Sequence, residues 1–486
     1  MGLLCDERWS GKIFTGKWRV AGGGEISVTE PATGLEIGSV GRADAADLDR
    51  SVAQARDAQV SWAARPFGER AGILRRAADL WTQYFEDVQY WLIHEAGGVR
   101  LKAKTELTAA VRECHEAAAL PSHALGEVIP SETSQLSMTV HSPVGVVGVI
   151  APFNMPLWLS IRSVAPALAL GNAVILKPDP RTPVSGGVVL ARIFEEAGLP
   201  AGLLHVLPGG GDIGSALVSH AGVRAISFTG STQAGRAVGA LAARHFTRAH
   251  LELGGNNALI VLGDVDLDRA MSAISFGSFF NQGQGCVIIG RHLVHESIYD
   301  EYVTRLAASA SELVVGNPES EAVALGPIID AKQRDKIHSL VLSSVAAGAR
   351  LLTGGIHDGL FYRPTVLADA GPGIPAYENE VFGPVACVTP FSTTDEAVAL
   401  AAGTEFGLAL GIFTDDVAAG LSIAQRIPVG MAHVNNQTLV DEAHAPFGGM
   451  GASGNSARFG SAPANIEAYT DTRWITVNSQ VPSYWS

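Results

Sequence analysis

The stretch Asn281-Gln282-Gly283-Gln284-Gly285-Cys286 places one thiol at the end of a glycine-loosened turn, between an apolar helical run and an apolar strand-like run. Glycines on the approach let the backbone come close to a ligand. The thiolate is the reactive form of cysteine, so a partly exposed Cys286 is a candidate nucleophile; a packing thiol is the plainer reading of the same residues. Leu251-Glu252-Leu253-Gly254-Gly255-Asn256 sets a carboxylate in an apolar run, where it must be paired, hydrogen-bonded or protonated. Glu252 is either a structural ion-pair member or a tuned general base. In Ala151-Pro152-Phe153-Asn154-Met155-Pro156, Pro156 favours an extended approach and leaves Asn154 at the carboxyl edge of a strand. Its amide could donate to a developing oxyanion, or cap the helix that begins near Pro156.

Two turns could hold a phosphate. Gly209-x-Gly211-x-x-Gly214 has the dinucleotide spacing but no acidic partner about 20 residues on. Phe228-Thr229-Gly230-Ser231-Thr232-Gln233-Ala234-Gly235 also lies between strand and helix, where free N–H groups favour an anion. Glu380-Val381-Phe382-Gly383-Pro384 and Pro446-Phe447-Gly448-Gly449-Met450-Gly451 are further glycine turns whose aromatics line a pocket or simply pack.

The elements that must position these residues follow from hydrophobic periodicity. After an irregular start, 45–59, 66–95 and 102–120 read as helices. Residues 125–141 alternate as an exposed hairpin or edge pair, of the kind a partner subunit covers. From 144 onward, buried apolar runs at 144–150, 173–176, 203–207, 225–228 and 258–262 alternate with helices at 156–170, 184–197, 213–220 and 232–245. That is the pattern of a parallel sheet covered on both faces, with its ligand site beyond the strands' carboxyl ends. A second α/β region follows: a helix over 266–281, strands at 287–294, 385–391 and 408–413, and helices at 298–313, 331–347 and 394–402. The closing run 468–477 reads as a strand with no local mate. The early hairpin is its expected partner, within the chain or across a subunit boundary.

With 486 residues the chain needs about three structural units. A net charge of −14 argues against nucleic acid or an anionic membrane as the main partner, though not against an anionic cofactor. Cys5, Cys114, Cys286 and Cys387 have neither metal-ligand spacing nor a disulfide framework, so no metal site is expected and a reducing compartment fits. Met1-Gly2 lacks the Ser or Thr of a myristoylation signal at Asp6, no secretory leader is visible, and no apolar run reaches spanning length. A cytoplasmic location is expected.

Taken together and in order, the motifs resemble the aldehyde dehydrogenase superfamily. The resemblance runs through nearly the whole chain: Pro152 to Pro156, Leu176-Lys177-Pro178, Phe228 to Thr232, Leu251 to Asn256, Gly283 to Cys286, Glu380 to Pro384 and Pro446 to Gly451. The Glu252 and Cys286 motifs, 34 residues apart, are the most specific. Arg162-Ser163-Val164-Ala165-Pro166-Ala167-Leu168-Ala169-Leu170-Gly171-Asn172 and Lys177-Pro178-Asp179-Pro180-Arg181-Thr182 are most similar to bacterial benzaldehyde and vanillin-type aromatic aldehyde dehydrogenases.

The resemblance implies an α/β fold: a Rossmann-type cofactor domain (1–124 and 144–253), an α/β catalytic domain (254–460) and a small β oligomerisation element (125–143 and 461–486). It implies NAD- or NADP-dependent oxidation of an aldehyde to the acid, with Cys286 as nucleophile, Asn154 and the Cys286 N–H as oxyanion donors, and Glu252 as the base for hydrolysis. Phe153, Lys177, Arg181, Gly230, Ser231, Gly235, Leu253, Gln333, Glu380 and Phe382 would bind the cofactor. Lys177 would reach the adenosine ribose, Ser231 the pyrophosphate and Glu380 the nicotinamide ribose. Met155, Trp158, Leu159, Phe280 and Phe447 would line a substrate tunnel suited to a planar aromatic ring. Arg162, one helical turn beyond Trp158, is read as an ion-pair partner of the neighbouring protein, with a tunnel-mouth role as the other reading.

One departure concerns the cofactor. Many NAD-preferring members carry Glu three residues after the Lys that matches Lys177, whereas this chain has Pro180 and then Arg181. Without that carboxylate a 2′-phosphate is not repelled, and Arg181 could pair with it, so NADP⁺ is expected to serve beside NAD⁺. The expected assembly is a homodimer or homotetramer, and the expected partner a small-molecule aldehyde. The competing readings are a CoA-acylating member, a catalytically idle member retained for binding, and a cysteine hydrolase. Glu252 speaks against the first, the intact Cys286, Glu252 and Asn154 against the second, and the want of an assignable His partner against the third.

Overall fold

The computed structural model describes residues 2–4, 6–320 and 322–484. Met1, Cys5 and the last two residues of the 461–486 segment, which entered the readings above, lie outside them.

A seven-stranded sheet carries Arg248–Glu252, Ala225–Thr229, Val146–Ile150, Ala173–Lys177, Leu204–Val206, Lys12–Phe14 and Trp18–Val20, in that spatial order. The first five are parallel, and the two N-terminal strands are added antiparallel at one edge. Val146–Ile150 and Ala173–Lys177 are buried along their whole length, as strands covered by helices on both faces must be. Their carboxyl ends lead directly into Asn154 and Arg181. The neighbouring strands end at Thr229, before Ser231, and at Glu252. The candidate residues of this half therefore gather at one end of one sheet.

The second seven-stranded sheet is ordered Arg350–Thr353, Thr365–Ala368, Val385–Phe391, Ile289–His295, Asn257–Val261, Ala409–Phe413 and Met431–Val434. Its two faces feed separate cores. Ala258 and Ile260 join one cluster, Leu259 and Val261 the other, the period of two that a doubly covered strand imposes. A third, antiparallel sheet joins Thr470–Val477, Leu136–Pro143 and Gly126–Val128. The closing strand thus finds the expected partner within its own chain, from Thr470 opposite Pro143 to Val477 opposite Leu136.

Three expectations change in detail. The single helix over 66–95 is two, Phe67–Gln83 and Phe85–His94, broken where Tyr84 leaves helical geometry (φ −102°, ψ 28°). The irregular start contains the strands Lys12–Phe14, Trp18–Val20, Glu25–Thr29 and Glu36–Gly41, too short and too unevenly buried to show alternation. Arg248–Glu252 is a strand although its first residues are polar, because pairing with Ala225–Thr229 outweighs local pattern. No helix among the described residues is long and apolar enough to cross a membrane.

Candidate active site

The helix Leu267–Phe279 is capped by Asp266, whose carboxylate accepts from the Asp268 and Arg269 N–H groups. Beyond it the chain turns through three successive left-handed residues, Asn281 (φ 51°), Gln282 (φ 57°) and Gly283 (φ 65°). Non-glycine residues pay for that conformation, and here hydrogen bonds hold it. Gln282 Nε2 donates to the Gly97 and Pro327 carbonyls, both at 3.0 Å, and Asn281 Nδ2 donates to Gln284 O at 3.1 Å and Asn154 O at 3.3 Å. A Cβ on Gly283 would run into the Gly383 carbonyl, so only glycine fits there. The turn is a rigid pedestal, and Cys286 stands on it partly exposed. Burial pushes the thiol up to about 12, reinforced by the carboxylates of Glu380, Glu252 and Asp441 and opposed by Arg162.

Asn154 does not cap the helix that follows it. Glu106, reaching over from the helix Arg100–Ala119, accepts from the Leu157 and Trp158 N–H groups of Pro156–Ala169 at 3.0 and 3.2 Å. Lys102 balances Glu106 at 2.5 Å, both side chains fully buried. Asn154 is buried as a residue, and its side-chain amide makes no hydrogen bond among the described residues where it lines both cavities with Cys286. The cap reading is not realised, since Asn154 makes no capping bond to this helix.

Glu252 is not an ion-pair member either. Both its carboxyl oxygens are buried without a hydrogen-bond partner among the described residues, and Oε1 lies 2.7 Å from where a Cβ on Gly448 would stand. Burial raises this carboxyl well above its ordinary range, with Arg458 and then Arg162 opposing. It lines neither cavity that reaches Cys286. In this position burial favours its protonated form, and its carboxyl lies against Gly448.

Two cavities meet at Cys286 and Asn154, which line both. One, of about 360 Å³, is walled by Phe153, Lys177, Arg181, Gly230, Ser231, Leu253, Gln333, Glu380 and Phe382. Ser231 caps the helix Thr232–Arg244, accepting from Ala234 N at 3.3 Å, so that helix's amino end faces the cavity. Of the two phosphate turns this one lines the cavity; Gly209, Gly211 and Gly214 do not, and Gly209 O instead accepts from Lys177 Nζ at 3.1 Å. Gly235 also stands away from the cavity: a Cβ there would strike Leu253, so its role is to let the helix pack closely. Glu380 accepts from Gly255 N at 3.0 Å, and burial moves its carboxyl to about 7. Gln333 braces the Phe382 turn, donating to Phe382 O at 2.9 Å.

Arg181 differs from expectation. Its guanidinium holds Asp179 in a fork at 2.8 and 2.9 Å and Asp330 at 2.9 Å, and stacks 4.0 Å over Phe153. A 2′-phosphate there would compete with two carboxylates for the guanidinium, three of whose five N–H groups are engaged. A helix amino end, a lysine and a carboxylate around a cleft of this size form a donor and acceptor set that fits a dinucleotide's pyrophosphate and ribose hydroxyls.

The other cavity, of about 380 Å³, is walled by Met155, Trp158, Leu159, Phe280 and Phe447, all expected. Sequence reading missed Phe276, one turn before Phe280 and tilted against it at 4.7 Å; the i, i+4 aromatic pair was its available signal. It also missed the face of Arg100–Ala119 bearing Thr105, Thr108 and Arg112, and Leu439, Asp441 and Ala443 on the loop after Met431–Val434, for which the sequence gives no local cue. Arg162 lies behind the wall. Its Nε donates to Glu113 at 3.1 Å and its Nη2 to Asp441 at 2.6 Å, and it lies against the rings of Trp158 and Phe447. The ion-pair reading is the one realised, with partners inside the same chain. No group of three or more His, Cys, Asp or Glu among the described residues could hold a metal.

The sequence profile of the aldehyde dehydrogenase family matches residues 18–475. The vanillin dehydrogenase of Amycolatopsis sp. is 64% identical over 484 residues, covering 100% of both chains. A benzaldehyde dehydrogenase [NAD(+)] of Pseudomonas putida is 47% identical over 98% of each. Among solved structures, a salicylaldehyde dehydrogenase from Pseudomonas putida G7 complexed with salicylaldehyde superposes with a TM-score of 0.94 at 31% identity, over 98% of this chain and 99% of that one.

Proposed function

The chain belongs to the aldehyde dehydrogenase family, and from that premise we propose that it oxidises aromatic aldehydes of the benzaldehyde type to their carboxylic acids with NAD or NADP. The observation that carries the reading is the meeting of two cavities at Cys286 and Asn154, one polar-ended and one walled by aromatics. A cavity of about 380 Å³ lined by Trp158, Phe276, Phe280 and Phe447 suits one planar ring.

Cys286 attacks the aldehyde carbon as thiolate and forms a thiohemiacetal. The free Asn154 amide and the Cys286 N–H receive the oxyanion. Ser231, Lys177 and Glu380 would hold NAD or NADP, which when bound would supply the hydride acceptor for this carbon. The resulting thioester is hydrolysed by water that Glu252 deprotonates, which requires its carboxyl to turn away from Gly448 and ionise. Acceptance of NADP rests on the absence of a carboxylate at Pro180 and not on Arg181, so R181A should lower the kcat/KM for both cofactors alike.

The cofactor domain is assigned to 1–124 and 144–253, the catalytic domain to 254–460, and an oligomerisation element to 125–143 and 461–486. Three free thiols among the described residues suit a reducing compartment such as the cytoplasm. The test is a panel of aromatic and aliphatic aldehydes with each cofactor, following reduced cofactor and identifying the product. Acid formed without added CoA is expected. Turnover only with CoA would favour the acylating reading, and cofactor binding with no turnover the idle one. C286A should abolish oxidation and keep cofactor binding.

A further inference from the structure

The aromatic cavity contains one carboxylate among its described lining residues, Asp441. Its side chain is about nine-tenths buried, with 10% exposed. Only one of its oxygens is engaged: Oδ2 accepts from Arg162 Nη2 at 2.6 Å, and Oδ1 makes no hydrogen bond among the described residues. Arg162 is itself held in place by Glu113, which also accepts from Trp158 Nε1 at 3.1 Å. The carboxylate is thus mounted on the framework that orients the ring-stacking wall, in a largely apolar cavity whose wall includes Met155, Trp158, Phe280 and Phe447, with Thr105 and Thr108 among its polar residues. The cations that line the same cavity, Lys104 and Arg112, sit on the exposed face of the helix Arg100–Ala119.

An unfilled acceptor in an apolar pocket favours a ligand that brings a donor, because a ligand lacking one leaves the carboxylate desolvated and unpaired. We propose that Asp441 selects aromatic aldehydes bearing a ring hydroxyl, its Oδ1 accepting the phenolic O–H while Arg162 fixes Oδ2. The proposal rests on the aromatic-aldehyde reading above and adds to it a residue and a substituent.

Wild-type enzyme, D441N and D441L are to be compared on benzaldehyde, 3- and 4-hydroxybenzaldehyde and 4-methoxybenzaldehyde. D441L should lower kcat/KM for at least one hydroxylated substrate by roughly 10- to 100-fold more than for benzaldehyde. D441N should fall between, and the methoxy compound should follow benzaldehyde. Equal losses on all four substrates would overturn the proposal. Should D441L fail to fold, the unaltered enzyme still decides: phenol should inhibit benzaldehyde oxidation more strongly than anisole, and equal inhibition would sink the idea. A wild-type enzyme that oxidises none of the four would instead remove the aromatic-aldehyde reading itself.

Discussion

Cys286, Asn154 and Glu252, the residues of the proposed chemistry, stand in two different states of readiness. Asn154 is ready, since its amide lines both cavities with Cys286 and makes no hydrogen bond among the described residues. N154A should therefore lower kcat by about 10²- to 10³-fold with a smaller change in KM, read from steady-state kinetics. For Cys286 and Glu252, burial pushes both groups toward their protonated forms. In the proposed mechanism each must lose a proton to act, so kcat/KM should go on rising with pH through neutrality and beyond it. E252Q should form the thioester and hydrolyse it slowly, seen as a burst of reduced cofactor followed by a low steady rate. A flat pH profile would show that neither burial survives substrate binding. At this scale the sequence pointed to residues that gather where the two cavities meet, Cys286 and Asn154, but not to the environment of each. Nothing in Leu251-Glu252-Leu253 says that Gly448, far along the chain, receives the carboxyl.

Helix placement depends on charges that the sequence concealed. Glu106 and Lys102 are fully buried and lie four residues apart on one helix, where pattern alone would read them as an exposed surface pair. Instead Glu106 anchors the amino end of Pro156–Ala169, the helix that carries Trp158. Removing one partner strands the other. E106L should destabilise the fold by about 3–5 kcal/mol in urea titration, whereas the double variant K102M/E106L should recover most of that loss. The strands and helices around the site were legible because buried parallel strands are uninterrupted apolar runs. Val385–Phe391 and Thr394–Ala402 fall where periodicity puts them. The short N-terminal strands and the aromatic-pocket loop at 439–443 were not, since their conformations are set by distant partners and not by their own residues.

Across the whole molecule, the closing strand ties the end of the chain to its first half through eight register pairs with Leu136–Pro143. It leaves Trp474 67% and Val477 49% exposed at the edge of a three-stranded sheet. Exposed apolar residues on an edge strand invite another chain. W474E should shift a dimer or tetramer toward monomer in light scattering while leaving the far-ultraviolet circular dichroism unchanged. The rigid turn beneath Cys286 has a consequence of another kind, for durability. A thiol pushed up toward about 12 by its surroundings favours the un-ionised form at neutral pH, and peroxides and alkylating agents attack the thiolate. The resting enzyme should therefore take up iodoacetamide slowly at pH 7 and faster as the pH is raised, followed by mass spectrometry of the Cys286 peptide. The nucleophile is kept inert between turnovers by the same burial that must be overcome to use it.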